Sequence, residues 1–216
     1  MRRARTRRSL IALAALGLGG CVAPQAPVGP MRLVSAHEHR VELSADGRAV
    51  IVAPPPGDCL ASDKVHVVGG AAVTLMTACD ASPGDAVQTV TIAAEPLFGA
   101  RDAALELAAL EAHLRGPQGR RGLGLSGDAP TRVVSSRRDG ATLYLVIEDA
   151  AAPEALLCRA FTEVNGRLAM VSASAAAGEG ERALLRRAEA MVGALKAVNA
   201  VAERFGPEPA PRPQRA

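Results

Sequence analysis

Asp46-Gly47, Asp139-Gly140 and Asn165-Gly166 each lie between runs rich in Val, Leu, Ile and Thr. Asx-Gly pairs accept the positive φ that a two-residue hairpin turn demands, so the chain is constrained to local antiparallel pairing. The expected pairs are 40–44 with 49–53, 131–138 with 141–149, and 156–164 with 167–175. Within 141–149, Leu143, Leu145 and Ile147 alternate with Thr142, Tyr144, Val146 and Glu148, the period of a strand. Further strands are expected at 71–77 and 86–92. Pro54-Pro55-Pro56-Gly57 ends its strand because proline donates no ladder hydrogen bond. Residues 60–70 read as a loop with one helical turn near Asp63.

Two segments carry helical spacing instead. In 100–115, Ala103, Leu107, Leu110 and Leu114 share one face, and Gly116-Pro117 stops the helix before a glycine-rich connection over 118–130. In 181–205, Leu184, Leu185, Ala188, Met191, Val192, Leu195, Val198, Ala202 and Phe205 form one stripe, which suits packing across a sheet. A partner-binding or membrane-surface helix is the alternative reading. Hairpins, a helix, hairpins and a long helix, without β-α-β-α alternation, imply an α+β fold. It is mainly an antiparallel β-sheet packed by two α-helices.

The first 20 residues stand apart. Arg2, Arg3, Arg5, Arg7 and Arg8 precede an apolar run of about ten residues, where a spanning helix needs about 20. The run ends in Leu18-Gly19-Gly20-Cys21, which resembles a bacterial lipobox. That resemblance implies a diacylglyceryl group on the Cys21 sulfur, cleavage before Cys21, and acylation of the new amino group by a fatty acid such as palmitate. Val22, in place of an inner-membrane retention Asp, points to the outer membrane. Thr6-Arg7-Arg8-Ser9-Leu10-Ile11 also resembles a twin-arginine motif, which leaves the export route open. The expected organisation is a signal peptide (1–20), the lipidated Cys21 with a Pro-rich tether (21–30), one α+β domain (31–205) and a disordered Pro-rich tail (206–216).

Without residues 1–20 the chain holds 20 basic and 22 acidic side chains, a formal charge of −2. No basic patch is interleaved with aromatics, so nucleic acid is not an expected partner. Only Phe98, Tyr144, Phe161 and Phe205 are aromatic, which disfavours stacking platforms for sugars or bases. With Cys21 acylated, Cys59, Cys79 and Cys158 remain for an oxidising compartment. A Cys59–Cys79 disulfide is expected, since each follows an expected strand. Cys158 is expected to pack as a small apolar residue, with Arg159 on the opposite face of the strand.

Motifs for chemistry are sparse. Gly122-Leu123-Gly124-Leu125-Ser126-Gly127 has dinucleotide-fingerprint spacing but follows a helix and connection rather than a strand. Ser126 misses the nucleophile-elbow spacing by one residue. His37-Glu38-His39 can place two imidazoles on one strand face, yet His66 and His113 lie far away as third ligands. Gly119-Arg120-Arg121-Gly122 reads as a solvated loop. Glu106 and Glu111 do not share a helical face, and Glu179 and Glu181 suit a helix start. No catalytic residue, metal ligand or cofactor is therefore expected.

The strand ending Ala53-Pro54-Pro55-Pro56-Gly57-Asp58-Cys59, the second cysteine, and Arg159-Ala160-Phe161-Thr162-Glu163-Val164-Asn165-Gly166-Arg167 resemble uncharacterised proteobacterial lipoproteins over most of 40–200. The order of elements is also similar to PsbP-like domains, which implies an accessory or assembly role. The resulting expectation is a non-catalytic, lipid-anchored envelope protein facing the periplasm, attached through Cys21 and bound to another envelope protein. A small periplasmic enzyme or metal-binding protein, and a small-ligand carrier, are the alternatives.

Overall fold

A computed structural model describes residues 30–68, 70–82, 85–93, 103–124, 131–149, 152–176 and 178–205. The expected signal peptide, Cys21, the tether up to residue 29 and the tail over 206–216 lie outside the described residues, as does Ser126.

The chain runs β1 (Arg32–His37), β2 (Arg40–Ala45), β3 (Arg48–Val52), β4 (Asp58–Leu60), a 3-10 turn (Ser62–Lys64), β5 (His66–Val68), β6 (Ala71–Ala78) and β7 (Val87–Ala93). It continues with α1 (Ala103–Arg115), α2 (Pro117–Arg121), β8 (Thr131–Asp139), β9 (Thr142–Asp149), β10 (Ala152–Val164), β11 (Arg167–Ser174) and α3 (Glu181–Phe205). The fold is α+β. A small sheet has the order β1-β2-β3, and a large one β4-β6-β7-β11-β10-β9-β8, with β5 also on the outer edge of β6. Every pairing is antiparallel.

All three expected hairpins form. Asp46 and Gly47 sit at φ 51° and 72°, and Asn165 and Gly166 at 49° and 72°. The middle turn is shifted by one residue from expectation. Asp139 pairs with Thr142, so Gly140-Ala141 makes the turn, with the positive φ of 53° on Gly140. Glycine bears that conformation without the steric cost an aspartate would meet.

Strand β9 is buried on both sides because the large sheet is covered on both. Tyr144 and Val146 face a core shared by α3, the small sheet and residues such as Met76, Val90, Ile92, Cys158 and Val171. On α3, Leu184, Ala188, Met191, Val192 and Leu195 enter that core, each large side chain contributing ~2 kcal/mol of burial. Leu143, Leu145 and Ile147 face the other way, against Leu107 and Leu114 of α1, Leu123, Leu157 and Phe161.

Other expectations are corrected. Residues 117–121 are helical: Pro117 starts α2 with a φ suited to a first turn, and Gly119 lets α2 press onto the His113 carbonyl of α1, where a Cβ would collide. Arg120 and Arg121 thus stand on a short helix and not in a loop. In 60–70 the expected helical turn near Asp63 is present as the 3-10 turn Ser62–Lys64, but the segment also contributes β5 and the end of β4, both held on the edge of β6.

Candidate functional site

Residues 38 and 39 form the turn between β1 and β2, so His37 and His39 do not share a strand face. Both are exposed, as are His66 on β5 and His113 on α1. Among the described residues no three His, Cys, Asp or Glu side chains converge as a metal-binding group. Cys59 and Cys79 are joined by a disulfide across the edge of the large sheet, with Glu38 Oε1 3.5 Å from Cys59 Sγ. Cys158 is buried between the sheet and α3. Burial, reinforced by the Glu189 charge, pushes its thiol up to about 12, which keeps the nucleophilic thiolate scarce.

Three polar clusters went unrecognised in the sequence. On the α1 side, Arg159 is only 9% exposed. Its Nε donates to the Leu123 carbonyl at 2.6 Å and its Nη2 to the Gly124 carbonyl at 3.1 Å, while Nη1 donates to Ser172 Oγ at 3.1 Å. The buried Asp149 supplies the opposing charge, and desolvation lowers the guanidinium pKa. Gly124 is pressed so closely on Asp149 and Thr131 that a Cβ would collide. Some of the apparent dinucleotide fingerprint is thus occupied in holding its own strand neighbours. The arrangement clasps the chain end of α2 onto β9 and β10.

A second cluster pairs groups used in nucleophilic catalysis. Lys196 Nζ donates to Thr142 Oγ1 at 2.7 Å, and Thr142 Oγ1 donates to Thr162 Oγ1 at 3.1 Å. Desolvation lowers the Lys196 pKa, as a lysine base would need. Thr142 is only 1% exposed and Thr162 is fully buried, so a substrate carbonyl has no approach to either hydroxyl. The chemistry this geometry performs is solvation of a partly buried ammonium.

The third group of contacts lies along β8, the edge strand of the large sheet, and extends onto both faces of it. Glu111 accepts from Ser136 Oγ at 2.5 Å and pairs with Arg115 at 3.3 Å and Arg138 at 3.4 Å. The Ser136 hydrogen bond, then the two arginines, outweigh burial and hold its carboxyl below the ordinary value. Arg137 bonds Glu189 and lies 5.3 Å over the Tyr144 ring. Burial and the charges of Glu189 and Asp139 raise Tyr144 to about 12. These groups tie β8 and β9 to α1 and α3. Glu181, at the start of α3, accepts from Ser135 Oγ at 2.5 Å beside an open depression also lined by Arg182 and Arg186.

No family model, curated protein or solved structure matches the chain.

Proposed function

We propose that this is a lipid-anchored envelope protein, facing the periplasm, whose domain binds another envelope component and has no catalytic role of its own. The observation that carries the reading is Leu18-Gly19-Gly20-Cys21 behind an arginine-rich, short apolar segment. One acyl chain holds a protein weakly and two or more hold it durably, so acylation of both the Cys21 sulfur and amino group gives lasting attachment without a spanning helix. The Cys59–Cys79 bond suits an oxidising compartment. The resemblance of most of 40–200 to uncharacterised proteobacterial lipoproteins supports the anchor, and the resemblance of the order of elements to PsbP-like domains supports an accessory role.

Cys21→Ser is expected to abolish incorporation of labelled palmitate and to leave unprocessed precursor. Continued acylation of that variant would defeat the reading. The competing metal-binding reading is tested by metal analysis of the purified protein. A stoichiometric ion lost in His37→Ala/His39→Ala would displace the non-catalytic assignment.

A further inference from the structure

The fold treats the cysteines of its domain unequally. Cys158 is fully buried between the large sheet and α3, whereas Cys79 is exposed and Cys59 half-buried at the sheet edge. In an unfolded chain the three thiols pair in any combination, and loop length discriminates only weakly between them. In the folded domain one combination is open. Cys158 is sealed, and Cys59 and Cys79 stand with Cα atoms 4.8 Å apart, within the range a disulfide spans. Backbone hydrogen bonds set that approach beside the sulfurs: the Cys79 amide donates to the Gly57 carbonyl at 3.0 Å, the Ala61 amide to the Leu75 carbonyl at 2.9 Å, and the Leu60 amide to the Glu38 carbonyl at 2.8 Å. Neither cysteine is among the residues of the two buried cores. A complete fold thus selects the pairing, and the order that secures it is folding first, oxidation second.

That fold needs the late part of the chain. Asn165 reaches back 116 positions to the Ala49 carbonyl, and Asn199 reaches back 148 positions to Ile51. A chain threaded N-terminus first into an oxidising compartment presents Cys59, Cys79 and Cys158 to oxidant before either asparagine arrives. The leading segment suits the other order. Arg7-Arg8 stands in Thr6-Arg7-Arg8-Ser9-Leu10-Ile11, just before the apolar run, and residues 11–20 hold three alanines and three glycines. A run so diluted is weakly held by a channel that selects segments by hydrophobicity. Two adjacent guanidiniums instead offer planar forks to paired carboxylates.

We propose that the domain crosses the inner membrane already folded, with Cys59 and Cys79 as thiols, through a twin-arginine translocase that reads Arg7-Arg8. The proposal rests on reading residues 1–20 as a signal, as the lipid anchor does. After arrival the two thiols exchange with a disulfide-bearing envelope oxidant. They give up two electrons and two protons, the Cys59–Cys79 bond forms, and the oxidant leaves as a dithiol.

The test expresses the full precursor in a bacterium with a twin-arginine translocase and follows palmitate labelling. Arg7→Lys/Arg8→Lys keeps the charge and removes the planar forks, so labelled, processed protein is expected to fall several-fold. Arg2→Lys/Arg3→Lys, an arginine pair outside the motif, should label as the unsubstituted chain does. Unchanged labelling of Arg7→Lys/Arg8→Lys overturns the proposal, as does an equal loss in both variants or labelling that persists in a host lacking the translocase. The retained precursor is then treated with a maleimide in permeabilised cells. Cys59 and Cys79 are expected to react and Cys158 only after denaturation, whereas equal reaction of all three reveals an unfolded precursor and overturns folded export. The unsubstituted chain separates the two failures. If it is neither processed nor labelled, the signal reading falls and the proposal with it; if it is labelled regardless of Arg7-Arg8, folded export alone falls.

Discussion

Asn199 closes the edge of β3 with a side chain in place of a strand. Its Oδ1 accepts from the Ile51 amide at 2.9 Å and its Nδ2 donates to the Ile51 carbonyl at 2.7 Å, while Asn165 Nδ2 donates to the Ala49 carbonyl at 2.8 Å. Removing the amide leaves the backbone of Ile51 buried without this partner, which costs ~1–3 kcal/mol for such groups. Asn199→Ala is expected to lose about 2 kcal/mol in urea unfolding, with Asn199→Asp also destabilised because the carboxylate cannot donate. Cys158 gives a second residue-scale expectation. It should resist iodoacetamide at pH 8 in the folded protein and react once denatured. The burial of Cys158 and the opposite direction of Arg159 were legible from strand alternation. Asn199 was not, because the apolar stripe of 181–205 passes around it and only its four-residue spacing from Leu195 marks the same face.

At the scale of elements, the disulfide decides how firmly β4 stays on the sheet. Strand β4 has three residues and, among the described residues, pairs only with β6, and Cys59–Cys79 closes a separation of 20 residues. Chain entropy alone assigns such a loop about 3 kcal/mol, so Cys59→Ser/Cys79→Ser should lower the unfolding free energy by that order, matched by the unsubstituted protein in reductant. The hairpins were legible because their instructions lie within two residues of each turn. Strands β4 and β5 carry too few residues for a period, an irregularity between Leu33 and Ser35 breaks that of β1, and their partners or supports are supplied by the assembled sheets. Helix α2 was obscured by Gly119 and by Gly116 and Gly122 on either side of it, since Gly119 serves the contact with α1 rather than helix propensity.

Across the whole molecule, two carboxylates fasten helices to the chain beside them. Glu111 joins α1 to β8, and Glu179 accepts from Arg187 on α3 at 2.6 Å and from the Ala176 amide at 2.7 Å. The Arg187 hydrogen bond leads in holding Glu179 below its ordinary value of 4.5, as the Ser136 bond does for Glu111. The unfolded chain therefore binds protons first as pH falls below about 4.5, and the stability supplied by both groups is lost as pH passes through their lower folded values. Urea midpoints should drop over that acidic range, and Glu111→Gln/Glu179→Gln should flatten the drop while lowering the midpoint at neutral pH. The closure of β3 has a consequence in time. Ile51 must wait for a residue 148 positions later, so a chain emerging N-terminus first carries its earliest sheet with a raw margin until the last helix arrives. Completion is thus postponed to the end of synthesis, and a carrier that shields residues 48–52 meanwhile would raise the yield of native protein.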